Sequence, residues 1–265
     1  MLKNILRARN LALGLTAFFA LLHHPAMASE TTMIVSSGFD YSSGKYGDAA
    51  KTQLPVIPFS ISAETSAWIV GVSMPYLQVR SDDNVRVTDA GVFVGSNAAD
   101  NDQIKTIRGA GDLATFATYK VPETDMGWLI DLIGRVKWPA ASHAKGLSTG
   151  KIDYGVEINL ARRVDRYSTH AKVAYQVRRG EIDDELRNGW AANACVKYRL
   201  NGTNDIDFTY DYRQPISAFG FKQSELSIAL GHMVSANWRV VLYGVKGLAD
   251  GSPDWAIGAT IEVRH

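Results

Sequence analysis

From residue 29 onward, apolar and polar residues alternate with a period of two, in segments of roughly ten residues that recur along the chain. That period puts apolar side chains on one face of a strand and polar ones on the other. The clearest case sets Ile206, Phe208, Tyr210 and Tyr212 against Asp205, Asp207, Thr209, Asp211 and Arg213. Two others set Ile152, Tyr154, Val156, Ile158 and Leu160 against Asp153, Glu157 and Asn159, and Trp190, Ala192, Ala194, Val196 and Tyr198 against Asn193, Lys197 and Arg199. Twelve segments follow the pattern: 32–42, 52–62, 67–79, 112–121, 126–138, 151–163, 167–178, 188–200, 204–214, 222–234, 237–246 and 254–265. Pro55 and Pro58 make the second an irregular or edge-like piece by expectation.

The connections alternate too. Long ones (Ser43–Lys51, Arg80–Gly111, Pro139–Gly150, Arg179–Arg187, Pro215–Phe221, Gly247–Pro253) are separated by short ones such as Val164–Arg166 and Ser235–Ala236. An even number of strands, short turns at one end and long loops at the other predict an all-β fold. The expected form is an antiparallel up-and-down transmembrane β-barrel of about 12 strands. A closed barrel leaves no unpaired edge, which lipid would penalise. Its apolar faces meet lipid and its polar faces the lumen, so a mean hydropathy of only −0.09 is compatible with a membrane protein. No run of 18 apolar residues follows residue 29, so no transmembrane helix is expected there.

The first 28 residues read differently. Lys3, Arg7 and Arg9 precede the apolar run Leu11–Leu22, which is short for a membrane span, and Ala26-Met27-Ala28 offers a small-x-small cleavage site. We expect a secretory signal over 1–28, cut before Ser29, and a barrel over 29–265 in the outer membrane. Cleavage leaves 25 basic against 27 acidic residues, a net charge of −2, which gives no electrostatic case for nucleic-acid binding. A single cysteine, Cys195, excludes an intramolecular disulfide and a Cys-rich zinc module. No cofactor is expected.

Tryptophan positions sharpen the membrane reading. Trp68, Trp128 and Trp238 start strands at the short-turn end, whereas Trp138, Trp190 and Trp255 lie at the long-loop end, all on apolar faces. Trp128 and Trp138 bracket one strand. Ten residues at about 3.3 Å each, tilted near 40°, span roughly 25 Å, the apolar height of such a barrel between its aromatic girdles. A soluble β-protein has no reason to sort core tryptophans to strand ends.

Several motifs resemble a family of bacterial outer-membrane transporter-like proteins of the phenol-degradation (meta-pathway) type. They are Gly111-Asp112-Leu113, Gly150-Lys151-Ile152-Asp153-Tyr154-Gly155, Gly189-Trp190, Tyr198-Arg199, Asp211-Tyr212-Arg213 and, most specific, the run Lys246–Trp255 (KGLADGSPDW). The resemblance covers most of the chain after residue 29. It implies a small barrel that passes hydrophobic or aromatic compounds. One departure is the last residue: such barrels usually end in an aromatic read by the insertion machinery, and here His265 stands there.

Motifs for other chemistry fall away on context. Gly146-Leu147-Ser148-Thr149-Gly150 matches G-x-S-x-G, but it lies in a long loop before a strand, not on a strand–turn–helix elbow. Gly109–Ala114 matches a loose G-x-G-x-x-A with no evident preceding strand and no following helix. Gly38–Lys45 has one residue too many for a P-loop, and Tyr46 stands in place of Ser/Thr. His143, His170, His232 and His265 show no metal-ligand spacing. A wall-embedded hydrolase using Ser148 or His232 is the weakest of the functional classes considered, and we expect no enzyme.

The expected functional surface is the inward face. Its expected lining is Asp131, Arg135, Lys137, Asp153, Glu157, Arg163, Lys172, Lys197, Arg199, Asp207, Asp211, Arg213 and Glu262, with His170, Arg178 and Arg264 beside them. Such charges either line a channel for a small solute, aromatic and hydrophobic ones included, or pair off as a plug in a structural barrel. The polar loop Arg80–Gly111, with Val92-Phe93-Val94 at its centre, folds inward, forms an outer lid, or stays a surface loop.

Overall fold

The computed structural model describes residues 31–81, 85–88, 91–94, 104–179 and 186–265. The expected signal segment lies outside the described residues. Twelve strands close into one antiparallel barrel: β1 (Thr32–Gly44), β2 (Thr52–Glu64), β3 (Trp68–Ser81), β7 (Leu113–Val121), β8 (Trp128–Trp138), β9 (Asp153–Val164), β10 (Tyr167–Val177), β11 (Gly189–Arg199), β12 (Asn204–Arg213), β13 (Gln223–Met233), β14 (Trp238–Gly247) and β15 (Trp255–Arg264). Each pairs with its neighbours in sequence, β3 pairs directly with β7, and β15 closes on β1. All twelve expected segments are wall strands.

Three short strands lie between β3 and β7, where the sequence suggested a loop. The hairpin β4 (Val85–Thr88) and β5 (Gly91–Val94) forms its own two-stranded sheet. Strand β6 (Lys105–Ala110) returns along the outer part of β3, pairing Tyr76–Ser81. The wall is taller at β1, β2 and β3, which run 13 or 14 residues, than at the other strands. Its seam lies at Pro75, whose carbonyl accepts the Gly111 N–H at 2.8 Å while β3 changes partner from β6 to β7.

Register sorts the side chains. Phe39, Ile57, Tyr76, Val156, Ile158, Phe208, Leu226, Leu242 and Ile257 share the outward face and are exposed around the barrel. Water would penalise an apolar surface this large and continuous. Hairpin turns at the opposite end from the long loops are tight. Between β9 and β10, Asp165 adopts φ 52°, a left-handed conformation that aspartate tolerates in a turn.

Strand β2 corrects one expectation. Despite Pro55 and Pro58 it is neither irregular nor an edge: it runs 13 residues, paired on both sides. Each proline removes one donor, and the losses fall on opposite neighbours. The ladder to β1 skips the positions opposite Ile57 and Pro58, where the Ser37 hydroxyl donates to the Pro58 carbonyl at 3.0 Å. The ladder to β3 skips Leu54 and Pro55. A proline strand survives in a closed wall because its remaining bonds hold register, at the cost of a locally weaker seam.

Candidate functional site

The barrel interior is divided. At the long-loop end of the β2–β3–β6 side the inward face is apolar, and the loop between β8 and β9 folds onto it. That loop makes a short 3-10 turn at His143–Lys145 and reverses at Gly146 (φ 70°) and Gly150 (φ 72°), conformations that favour glycine. Leu147, 3% exposed, is thereby delivered into a cluster with Tyr46, Leu54, Leu77 and Val79, flanked by Val56 and Ile107. Space there is tight: a Cβ on Gly109 would come within 3.0 Å of a Leu147 methyl. Tyr46, in the β1–β2 loop, donates its hydroxyl to Ser42 Oγ at 2.7 Å, and burial pushes its phenol above the usual range.

Lys137 ties the other side of this loop to the wall. Its ammonium, 1% exposed, donates to Asp112 Oδ2 (3.0 Å), Thr149 Oγ1 (2.7 Å) and, as an ion pair, Asp153 Oδ2 (2.9 Å). The Ser148 hydroxyl donates to Asp112 Oδ2 at 2.8 Å, and Asp112 Oδ1 accepts the Ala141 N–H at 3.0 Å. Asp153 Oδ1 accepts the Arg179 N–H at 2.8 Å, which adds the β10–β11 loop to the same hub. One buried cation between two carboxylates thus joins the ends of three strands to two loops. A charge so desolvated is tolerable only when paired and hydrogen-bonded throughout.

The β8–β13 side is different. A cavity of about 330 Å³ opens there, lined by Arg135, Glu157, Lys172, Asp211, Arg213 and Glu225 with Gln176, Asn193 and Gln223. It exists because the inward positions of the middle strands are small: Ala174 on β10 and Ala191 on β11. Glu157 faces two cations, Arg135 Nε and Lys172 Nζ, each at 3.5 Å. Asn193 donates to Asp211 Oδ1 at 2.6 Å, and Arg213 donates to Gln223 Oε1 at 3.1 Å.

The expected inward residues therefore separate into groups. Arg135, Glu157, Lys172, Asp211 and Arg213 meet at the cavity. Lys137 and Asp153 are buried in the loop hub. Nearer the short turns, Lys197 lies 3.2 Å from Asp207 and 3.7 Å from Asp205, and Arg239 grips Asp205 through two 2.7 Å bonds. The Arg239–Asp205 bridge crosses β13 over Gly231, where a Cβ would come within 2.2 Å of the guanidinium. Asp131 accepts from Asn159 at 2.9 Å, and Glu262 accepts from Arg264 at 2.9 Å. Arg163 and Arg199 are exposed at the turn ends of β9 and β11. Glu225 and Gln176 were absent from the sequence expectation, although the same alternation places them inward; Asn193 stood there on the polar face of its strand. Ser148 and Thr149 lie in a connection, where alternation carries no signal, and Asp112 directly precedes its strand, which begins at Leu113.

The tryptophans all sit at strand ends. Trp68, Trp128, Trp238 and Trp255 open their strands, Trp138 closes β8, and Trp190 is second in β11. Several stack on a neighbouring outward tyrosine: Trp68 on Tyr119 and Tyr175 on Trp190 with centroids 4.9 Å apart, and Tyr41 on Trp255 at 5.5 Å.

The alternative motifs have ordinary structural roles. His143 Nδ1 contacts the Ser148 carbonyl at 2.9 Å, while the Ser148 hydroxyl, 2% exposed, bonds directly to Asp112. Serine, histidine and aspartate thus meet without a base on the hydroxyl, and no catalytic triad forms there. His232 Nδ1 meets Asn204 Oδ1 at 2.8 Å. A strand, β6, does precede Gly109–Ala114, contrary to expectation, but the segment leads into strand β7 and not a helix. Gly38–Gly44 is part of β1. Among the described residues no cluster of histidine, cysteine or carboxylate side chains could hold a metal ion.

The chain's backbone matches an outer-membrane channel from Pseudomonas putida F1 with a TM-score of 0.61 at 10% identity, covering 89% of this chain and 95% of that one. The fold is that of the outer-membrane β-barrels. A porin, KdgM, matches at 0.54 with 8% identity (87% and 98% covered). The β domain of the Bordetella autotransporter Brka matches at 0.52 with 11% identity (88% and 99% covered). No family model and no curated protein matches the sequence.

Proposed function

We propose that this chain is an outer-membrane channel for passive passage of small solutes, exported by the 1–28 segment and inserted by the barrel assembly machinery. The observation that carries the reading is a polar cavity inside a closed wall whose outer face is apolar. The tryptophans would sit at the two lipid–water interfaces, with the apolar band between them in lipid. The first test is conductance of the refolded chain Ser29–His265 in a planar bilayer, after a heat-shift gel verifies a folded barrel. Discrete, stable steps support the channel. A folded barrel without conductance favours the plugged, structural alternative, towards which the inward loop at Leu147 already points.

A second reading concerns hydrophobic solutes, which the resemblance to the phenol-degradation type supports. The apolar cluster around Leu54, Leu77 and Val79 lies against the strands whose ladders are interrupted at Pro55 and Pro58. An aromatic solute caught in that cluster would leave sideways through this seam into lipid. Loss of aromatic permeation in Pro55→Ala/Pro58→Ala supports the route; unchanged permeation rejects it.

A further inference from the structure

The charges at the cavity are segregated. On consecutive strands, one tier of inward residues runs Asn159, Lys172, Asn193, Asp211, Glu225, with the sign changing once along it. At the β8–β10 rim, Arg135 and Lys172 share the single carboxylate of Glu157, an excess of one positive charge. At the β12–β13 rim, Asp211 and Glu225 accompany the single cation Arg213, an excess of one negative charge. Between the rims, Ala174 and Ala191 leave the space open. The cavity is therefore neutral in sum and polarised across its width. The nearest opposed charges, Lys172 on β10 and Asp211 on β12, stand on backbones two strands apart, roughly 10 Å.

We propose that this cavity selects small zwitterions, solutes carrying a carboxylate and an ammonium on one compact frame, the chemistry of a free amino acid. The proposal rests on the channel reading above. A carboxylate turned to Arg135 and Lys172 and an ammonium turned to Asp211 and Glu225 would both be favoured in one orientation. A simple anion or cation gains at one rim and loses at the other. A hydrocarbon gains at neither and must displace water from the charged groups.

Liposome swelling with the refolded barrel tests this, using serine as the zwitterion and erythritol as a neutral solute of similar size. Serine is expected to enter at least about threefold faster than erythritol, and Asp211→Asn/Glu225→Gln to bring the ratio close to one. Equal rates in the unaltered barrel, or a preference that the double variant leaves intact, overturn the selectivity; erythritol entry would still leave the channel standing. Entry of neither solute overturns both. If the double variant does not fold, Lys172→Gln reports on the opposite rim, with the same loss of preference expected.

Discussion

The two halves of the barrel interior are built from the same alternating strands and end in opposite states. At the long-loop end of β2, β3 and β6 the inward positions Leu54, Val56, Leu77, Val79 and Ile107 are apolar, and a neighbouring loop covers them with Leu147. Between β8 and β13 they are small or charged, and a cavity remains. Outward faces cannot account for the contrast, because both halves are apolar there. The difference lies in how inward residues are satisfied. Apolar ones need a covering element, whereas charged ones satisfy each other across strands and hold water. A barrel of this strand number is neither wide enough to stay open all round nor narrow enough to fill with wall side chains alone. Here a loop fills one side, and the other is left as a cavity.

The contrast can be broken most severely at Lys137. Replacing it with Met strands Asp112 and Asp153 without their cation, and removing one partner of a buried pair typically costs about 3–5 kcal/mol. The loop is expected to detach. Protease cleavage near Lys145 should become fast, and channel conductance should rise if the loop narrows the path. Leu147→Ala acts on the same loop from its apolar side, with an expected loss of about 2–3 kcal/mol in denaturant unfolding. Its conductance change should be in the same direction and smaller.

Filling the other half sharpens the comparison without touching the loop. Ala174→Leu/Ala191→Leu places two large side chains in the cavity and should lower conductance strongly, while loop proteolysis stays at its original rate. Ala174 is buried and Ala191 half-buried, so the added volume is expected to cost about 1–3 kcal/mol, the range for overpacking. The smallest effect is expected at the seam. Pro58→Ala returns one donor opposite β1, worth about 1 kcal/mol at most in barrel stability, and hydrogen exchange at β1 and β2 would read it as slower opening.

Much of the wall was legible because alternation is a local property. Ile206–Tyr212 declares both faces of β12 without reference to any other strand, and the tryptophans mark where strands begin and end. Strand β6 escaped because Lys105–Ala110 is short and is paired only to an extension of β3. The loop hub escaped for a different reason. Asp112, Thr149 and Asp153 come from separate segments, and only the pairing of β8 with β7 and β9, with the fold of the loop between β8 and β9, brings them within 3 Å of the Lys137 ammonium. The cavity was half legible: period two marked Lys172, Asp211 and Arg213 as inward. That the space between them stays open depends on the sizes of Ala174 and Ala191 side by side on paired strands, which register alone reveals.

The most direct test of the divided interior is single-channel conductance of the unaltered barrel beside Ala174→Leu/Ala191→Leu, both shown folded by heat-shift gel. The account predicts discrete steps in the first and a marked reduction in the second. Equal conductance in the two would place the path elsewhere and contradict it.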